Sequence, residues 1–284
     1  MALALYYQSP KAYRHLQKAL ILPSPRLLRS KVEKVSLNTG FHAAIIAALR
    51  DKFGNGASHL DKVVILSFDE ITIKPRLVYN RPQDIIEGFE DMGGLGRTGR
   101  VATQALVFMA RGLTNRWKLP IGYTLHSGPA SARVMEPLLM SAVRQLRNAG
   151  LTVVSTVCDM GKPNQELYRL LGVTETSPQF DVDGTPVVAL HDVPHIFKCV
   201  RNGLLKHDVE VDGETLSWSH IKAFYNADKD RPIRTAPKLG PEHVQLDAFK
   251  KMSVRLAAQI MSASTSAGMR IYQSFGKLVN LFSK

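Results

Sequence analysis

The sequence predicts an α/β fold built on a mixed sheet with flanking helices. Three stretches carry that prediction. Val63-Val64-Ile65-Leu66 opens an apolar run suited to a strand buried on both faces, and β-branched alternation resumes at Ile71, Thr72 and Ile73. Residues 104–110 and 117–125 have the composition of two strands reversed at Gly112-Leu113-Thr114-Asn115. Residues 131–148 form an amphipathic helix with Met135, Leu138, Leu139, Val143 and Leu146 on one face. It is closed at Gly150 and followed by a second β-branched run over 151–157.

In chain order, the first 60 residues read as short basic helices. Ser9 caps one that carries Ala12, Tyr13, Leu16 and Leu20, and Leu22-Pro23-Ser24-Pro25 breaks it. Ser24 caps the next, with Pro25 in its first position and Leu27, Leu28, Val32 and Val35 as its apolar side. A third helix runs from Phe41 to Phe53 and ends at Gly54-Asn55-Gly56. After the central strand, residues 76–80 suit a second strand. Residues 81–100, with five glycines, read as a turn-rich surface loop. Gly93-Gly94-Leu95-Gly96 lacks the Gly-Lys-Ser/Thr ending of a phosphate loop. A short helix over 164–171 and a strand over 185–190 complete the reading of this part.

Composition narrows the class of protein. The 284 residues carry a net charge of +13, distributed unevenly. Residues 1–60 hold nine Lys/Arg against two acids, 61–195 hold fourteen of each, and 196–284 hold fourteen against eight. A neutral unit between basic flanks suits a polyanionic partner, although a solvated basic surface has the same charge count. The two cysteines, Cys158 and Cys199, lack zinc-finger spacing and exclude a disulfide framework. No apolar run of membrane-spanning length and no secretory leader pattern occurs. Domains are therefore expected over 1–60, 61–195 and 196–284.

The central strand carries an anomaly, the acid pair Asp69-Glu70 in the middle of an otherwise β-branched run. Burying a carboxylate costs several kcal/mol unless a cation compensates it, either a metal or a paired Arg or Lys. The run over 151–157 also ends on an aspartate, Asp159. If the two strands are neighbours, both carboxylates meet at one end of the sheet, where open α/β sheets bind ligands. Oxygen-only ligands facing solvent favour Mg2+ or Mn2+ over zinc. His191 and His195 suit hydrogen-bonded histidines at a strand end. Lys198 and Arg201 share a helical face that either meets phosphate or is solvated, and Trp117 and Trp218 suit core anchors.

Ser67-Phe68-Asp69-Glu70, Arg111-Gly112-Leu113 with Trp117-Lys118 and Pro120-Ile121, and Cys158-Asp159 with Asn164 and Leu170-Leu171-Gly172 resemble the P-element family of DNA transposases. The segments Asp192-Val193-Pro194-His195-Ile196-Phe197-Lys198-Cys199-Val200-Arg201-Asn202 and Val254-Arg255-Leu256-Ala257-Ala258-Gln259 resemble it too. The likeness spans about residues 8–272 and includes the THAP-domain transposase-like proteins. It implies an RNase H-like, retroviral-integrase-like domain in which Asp69 and Asp159 are the first two acids of a DDE site binding Mg2+ (or Mn2+). Glu70 would support that site or be solvated rather than ligate the metal. The resemblance further implies a mainly helical GTP-binding insertion with helices over 197–206, 217–225 and 246–262, with Lys238, Val254 and Ser262 at nucleotide-contacting positions and Ser253 where the family has a lysine. DNA as partner, self-association and nuclear localisation are implied as well. The family's third acid, a glutamate, lies beyond the insertion, whereas the last acid of this sequence is Asp247. A catalytically incomplete, truncated transposase is therefore expected, with a non-catalytic DNA-binding or dimerising derivative, such as a repressor of transposition, as the alternative.

Overall fold

The computed structural model describes residues 1–33, 38–54, 56–81 and 83–275. The expectations for Val35, Asn55 and the tail from Gly276 lie outside these residues. The helices are α1 (Ala2–Gln8), α2 (Pro10–Leu16), α3 (Pro25–Glu33), α4 (Ala43–Phe53), α5 (Ala132–Asn148), α6 (Lys162–Leu170), α7 (Val193–Leu204), α8 (Trp218–Asp228), α9 (Pro241–Val244), α10 (Ala248–Met252), α11 (Val254–Ile260) and α12 (Ala263–Ser274). The strands are β1 (Gly40–Phe41), β2 (Val63–Thr72), β3 (Val78–Asn80), β4 (Ile85–Glu87), β5 (Phe89–Asp91), β6 (Arg97–Val101), β7 (Gln104–Gly112), β8 (Lys118–His126), β9 (Thr152–Cys158), β10 (Gln179–Val182), β11 (Thr185–His191), β12 (Val209–Val211) and β13 (Glu214–Leu216).

The main sheet is mixed, in the order β10-β11-β9-β2-β7-β8-β5-β6, with β1 paired to β8. β2, β7 and β8 form an antiparallel meander, and β2, β9 and β11 run parallel. Parallel neighbours need a long crossover, and α5 and α6 supply helices in these connections. α5 buries Met135, Leu138, Leu139, Ala142, Val143 and Leu146, at the three- and four-residue spacing of one helical face. These side chains pack with Leu66 and Phe68 of β2, Leu106 and Phe108 of β7, Val153 of β9 and Leu167 of α6 in one continuous core. Truncating a side chain such as Leu139, fully buried there, costs about 2–5 kcal/mol.

A second core lies in the helical part after β11. It joins Leu204 of α7, Trp218, Ile221 and Phe224 of α8, Ile260 of α11 and Tyr272 of α12. Asp228 at the end of α8 ties the following loop to it. Its carboxylate accepts from Thr235 N (2.8 Å), Thr235 Oγ1 (2.7 Å), Ala236 N (3.2 Å) and Tyr272 Oη (3.2 Å). Burial alone would raise the Asp228 pKa, but these donors hold it below the usual range.

Several elements depart from the sequence reading, and α2 stops at Leu16, short of Leu20. Residues 81–100 hold β4, β5 and β6 rather than a structureless loop, and strands of three to five residues leave no alternation to read. Phe41 is in β1, not in the helix that follows. Gly122 permits this, because a Cβ there would lie 2.5 Å from the Gly40 carbonyl oxygen. β10 was not foreseen. The helix expected over 246–262 is broken at Ser253 and Ser262, whose hydroxyls cap new helices by accepting from Leu256 N and Thr265 N.

The buried carboxylate of Glu90 fastens the β5–β6 hairpin to the end of β8. It accepts from Thr98 Oγ1 (2.7 Å), Arg100 Nη2 (2.6 Å) and Ser127 N (3.1 Å). Burial opposes its ionisation, but the three donors and the Arg100 charge outweigh that and hold its pKa at about 2. The folded value is below the unfolded one, so the stabilisation is fully present above about pH 4.5 and is lost as pH falls toward about 2. Glu90→Gln should destabilise the protein by about 1–3 kcal/mol at neutral pH. In denaturant titrations from pH 7 to 2, the gap between wild type and variant should close at the acid end. A gap independent of pH would contradict this assignment.

Candidate metal centre

The last paired residues of β2 and β9 are Ser67 and Val157, in parallel register. Continuing that register by two positions sets Asp69 level with Asp159. His191 of β11 pairs with Cys158 of β9, so the same step sets Asp192 level with Asp159 on the other side. Three aspartates thus stand in a row, Asp69 within β2 just past its last pair with β9, and Asp159 and Asp192 directly after β9 and β11. Adjacent strands are about 4.8 Å apart, so Asp69 and Asp159 are neighbours, whereas the backbones of Asp69 and Asp192 are about 10 Å apart.

Each carboxylate of the central pair has one oxygen fixed. Asp159 Oδ1 accepts from Gly161 N (2.8 Å) and from Asn164 Nδ2 (2.6 Å) at the start of α6. A Cβ at Gly161 would meet that oxygen at 2.9 Å, so the glycine gives the carboxylate its room. Asp69 Oδ1 accepts from Glu70 N (2.8 Å). The second oxygen of each carboxylate has no such protein donor among the described residues.

Strand burial ends at Phe68, and Asp69 opens toward solvent rather than lying inside the strand's buried half as the sequence suggested. The surrounding protein nonetheless withdraws enough water to push its pKa up. The charges of Asp159 and Asp192 push it further in the same direction, against the Glu70 N–H and the field of His195. Glu70 points elsewhere: its Oε1 accepts from Ala130 N (2.6 Å) just before α5, which agrees with a supporting part.

Asp192 donates its N–H to the Cys158 carbonyl (2.7 Å), and its carboxylate is bonded to His195 Nδ1 on the first turn of α7. His191 Nδ1 lies 3.0 Å from the Asp159 carbonyl oxygen. Burial pushes the Cys158 thiol up to about 12, which rules it out as a nucleophile. The chemistry of the central pair, two oxygen donors whose like charges repel, fits a hard divalent cation. Among the described residues, no three His, Cys, Asp or Glu side chains are grouped to hold a metal.

The positions expected to contact nucleotide do not gather in one cavity. Ser262 lines a cleft of about 480 Å³ with Trp218, Ile260 and Met269, but Lys238 and Val254 are not among its lining residues. Lys238 is exposed in the loop before α9, and Val254 opens α11. Sequence reasoning had placed Arg201 beside Lys198 on a face open to phosphate, yet Arg201 is fully buried.

An RNase H-like sheet carrying an aspartate pair at its strand ends, followed by a helical insertion, defines the class of protein. Residues 37–172 match the TNP-like RNase H N-terminal domain, and residues 194–281 match the TNP-like GTP-binding insertion domain. The chain is 26% identical to the Transposable element P transposase of Drosophila melanogaster over 279 residues, covering 97% of this chain and 34% of that protein. It is 24% identical to the human DNA transposase THAP9 over 232 residues, covering 78% and 25%. The structure superposes on the Drosophila P element transposase strand transfer complex with a TM-score of 0.80 at 25% identity, covering 97% of this chain and 59% of that one. The chain belongs to the P-element family of transposases, and it spans about a third of the length of the Drosophila relative.

The charge coupling at the strand ends is directly measurable. Asp159→Asn removes one charge that opposes ionisation of Asp69, so the Asp69 pKa should fall while staying above its usual value, because burial persists. Carboxyl-carbon NMR titration of the two proteins reads this. An unchanged Asp69 value would mean that the two carboxylates do not face each other.

Proposed function

We propose that this chain is a P-element-type DNA transposase core, acting in DNA strand cleavage and transfer, in which Asp69 and Asp159 hold Mg2+ or Mn2+. The observation that supports it best is the parallel register of β2 with β9, paired up to Ser67 and Val157, whose continuation sets Asp69 level with Asp159. When bound, the metal supplies a Lewis acid that activates a water or 3′-hydroxyl and stabilises the leaving oxygen of a phosphodiester. The chain's own residues orient the ligands. Gly161 and Asn164 fix one face of Asp159, and Glu70 ties β2 to the start of α5.

A second reading, a non-catalytic DNA-binding or dimerising derivative, is favoured by one observation. Asp192 is beside Asp159 but two strands from Asp69, and its carboxylate is engaged by His195, whereas in-line phosphoryl chemistry generally needs a further acid to fix a second ion. The described chain should accordingly bind Mn2+ weakly and leave supercoiled DNA uncut, and Asp69→Asn should lose the Mn2+ binding. Nicking by the wild type that both Asp69→Asn and Asp159→Asn abolish would assign complete catalysis to this chain and overturn the non-catalytic reading.

DNA is the proposed partner, with self-association and nuclear localisation as further parts of the reading. Among the described residues, no helix is long and apolar enough to cross a membrane. A guanine nucleotide is proposed for the insertion through Lys238, Val254 and Ser262. Lys11 and Arg14 on α2 and Lys18 in the turn after it border one shallow basic depression. DNA affinity should therefore fall steeply with salt, and deletion of residues 1–60 should weaken it more than Asp69→Asn does. Anisotropy titrations across salt concentrations read both, and affinity insensitive to ionic strength would point to a protein partner.

A further inference from the structure

Arg201 of α7 is fully buried and has no carboxylate partner. Its Nε donates to Asn202 Oδ1 (2.9 Å) and its Nη2 to the Lys251 carbonyl (2.6 Å), while Nη1 has no acceptor. Burial lowers its pKa, the direction expected for a cation without a counter-charge. A buried, uncompensated guanidinium is costly and rare. Both residues that it grips, Asn202 and Lys251, line a cavity of about 430 Å³ together with Lys206, Lys222 and Trp218.

That cavity is chemically one-sided. Three lysines line it, and no carboxylate does. None of the three amino groups is in an ion pair among the described residues, whereas the neighbouring Lys250 is paired with Asp247. Trp218, which forms part of the wall, has a buried Nε1–H without an acceptor. Only three buried side-chain donors lack partners among the described residues. Two of them, on Arg201 and Trp218, belong to this wall or to its immediate support. Lys238, Val254 and Ser262 do not line the cavity, so it is separate from the positions proposed for the nucleotide.

We infer that the cavity between α7, α8 and α10 is a phosphate-binding site occupied by the backbone of bound DNA, with Lys206, Lys222 and Lys251 as its contacts. Buried Arg201 supplies fixed positive charge behind them and holds Asn202 and Lys251 in place. An anion at the mouth supplies the counter-charge that the protein omits. Long, separately mounted ammonium groups suit the sequence-independent contacts of a phosphodiester backbone. The inference rests on the DNA-binding reading above.

The test uses the whole chain, the variant Lys206→Gln/Lys222→Gln/Lys251→Gln, and a control of equal charge loss, Arg116→Gln/Lys118→Gln/Lys229→Gln. All six positions are exposed, so folding should be preserved. Inorganic phosphate, compared with chloride at matched ionic strength, should raise the melting temperature of wild type and control by about 2–4 °C and leave the cavity variant unmoved. With a DNA duplex, the slope of log affinity against log salt should be shallower by about 1 to 3 in the cavity variant than in the control. An equal phosphate shift in all three proteins overturns the site. A phosphate shift lost from the cavity variant, with a salt slope equal to the control's, overturns DNA as the occupant and leaves a free phosphate compound. Wild type that binds no DNA at all removes the DNA-binding reading itself, which the other two outcomes do not.

Discussion

Parallel pairing of β2 with β9 is the constraint on which the rest of the structure depends. Each residue of register displaces a side chain by about 3.3 Å along the strand and turns it to the opposite face. A single-residue slip would therefore separate Asp69 from Asp159 and break the core contacts of Leu66, Phe68 and Val153 at the same time. Packing and site geometry are thus specified by one set of contacts. The core holds the register, and the register brings together two charges that repel.

That repulsion explains how the surroundings of the pair are built. Neither carboxylate is paired with a lysine or arginine among the described residues. Backbone amides and Asn164 hold one oxygen of each, which orients the group without neutralising it. The contrast with Glu90 and Asp228 is instructive. Those carboxylates are more deeply buried, but they are satisfied on all sides and have depressed pKa values. They fasten loops, and their donors leave no room for a ligand. The two kinds of acid are distinguished by their donors rather than by depth.

Much of this was legible in the sequence. The long elements were, because β2, the β7–β8 hairpin, α5 and β9 are each long enough, at seven residues or more, to show an apolar run or a period, and Asp69 and Asp159 stand out as acids within or just after apolar runs. β4, β5, β6 and β10 were not, because three to five residues cannot show a period and their pairing depends on partners remote in sequence. Helical spacing put Arg201 on a face with Lys198, yet whether a face is solvated depends on α10 and α11 folding back over α7, which no local pattern records. The level position of Asp192 likewise follows from β11 pairing with β9, a property of the sheet rather than of any segment.

The wide separation of β2 from β9 in the chain has a consequence for biosynthesis. Ser67 pairs with Met109 on one side and with Val157 on the other, so the antiparallel neighbour leaves the ribosome well before the parallel one. Non-local pairings form slowly, and a strand awaiting its partner is a template for intermolecular pairing. During synthesis, the meander β2-β7-β8 can close while the other edge of β2 is still bare. That edge carries the apolar residues of the nascent core. The acid pair is therefore completed late, after β2 has been left with one unpaired edge.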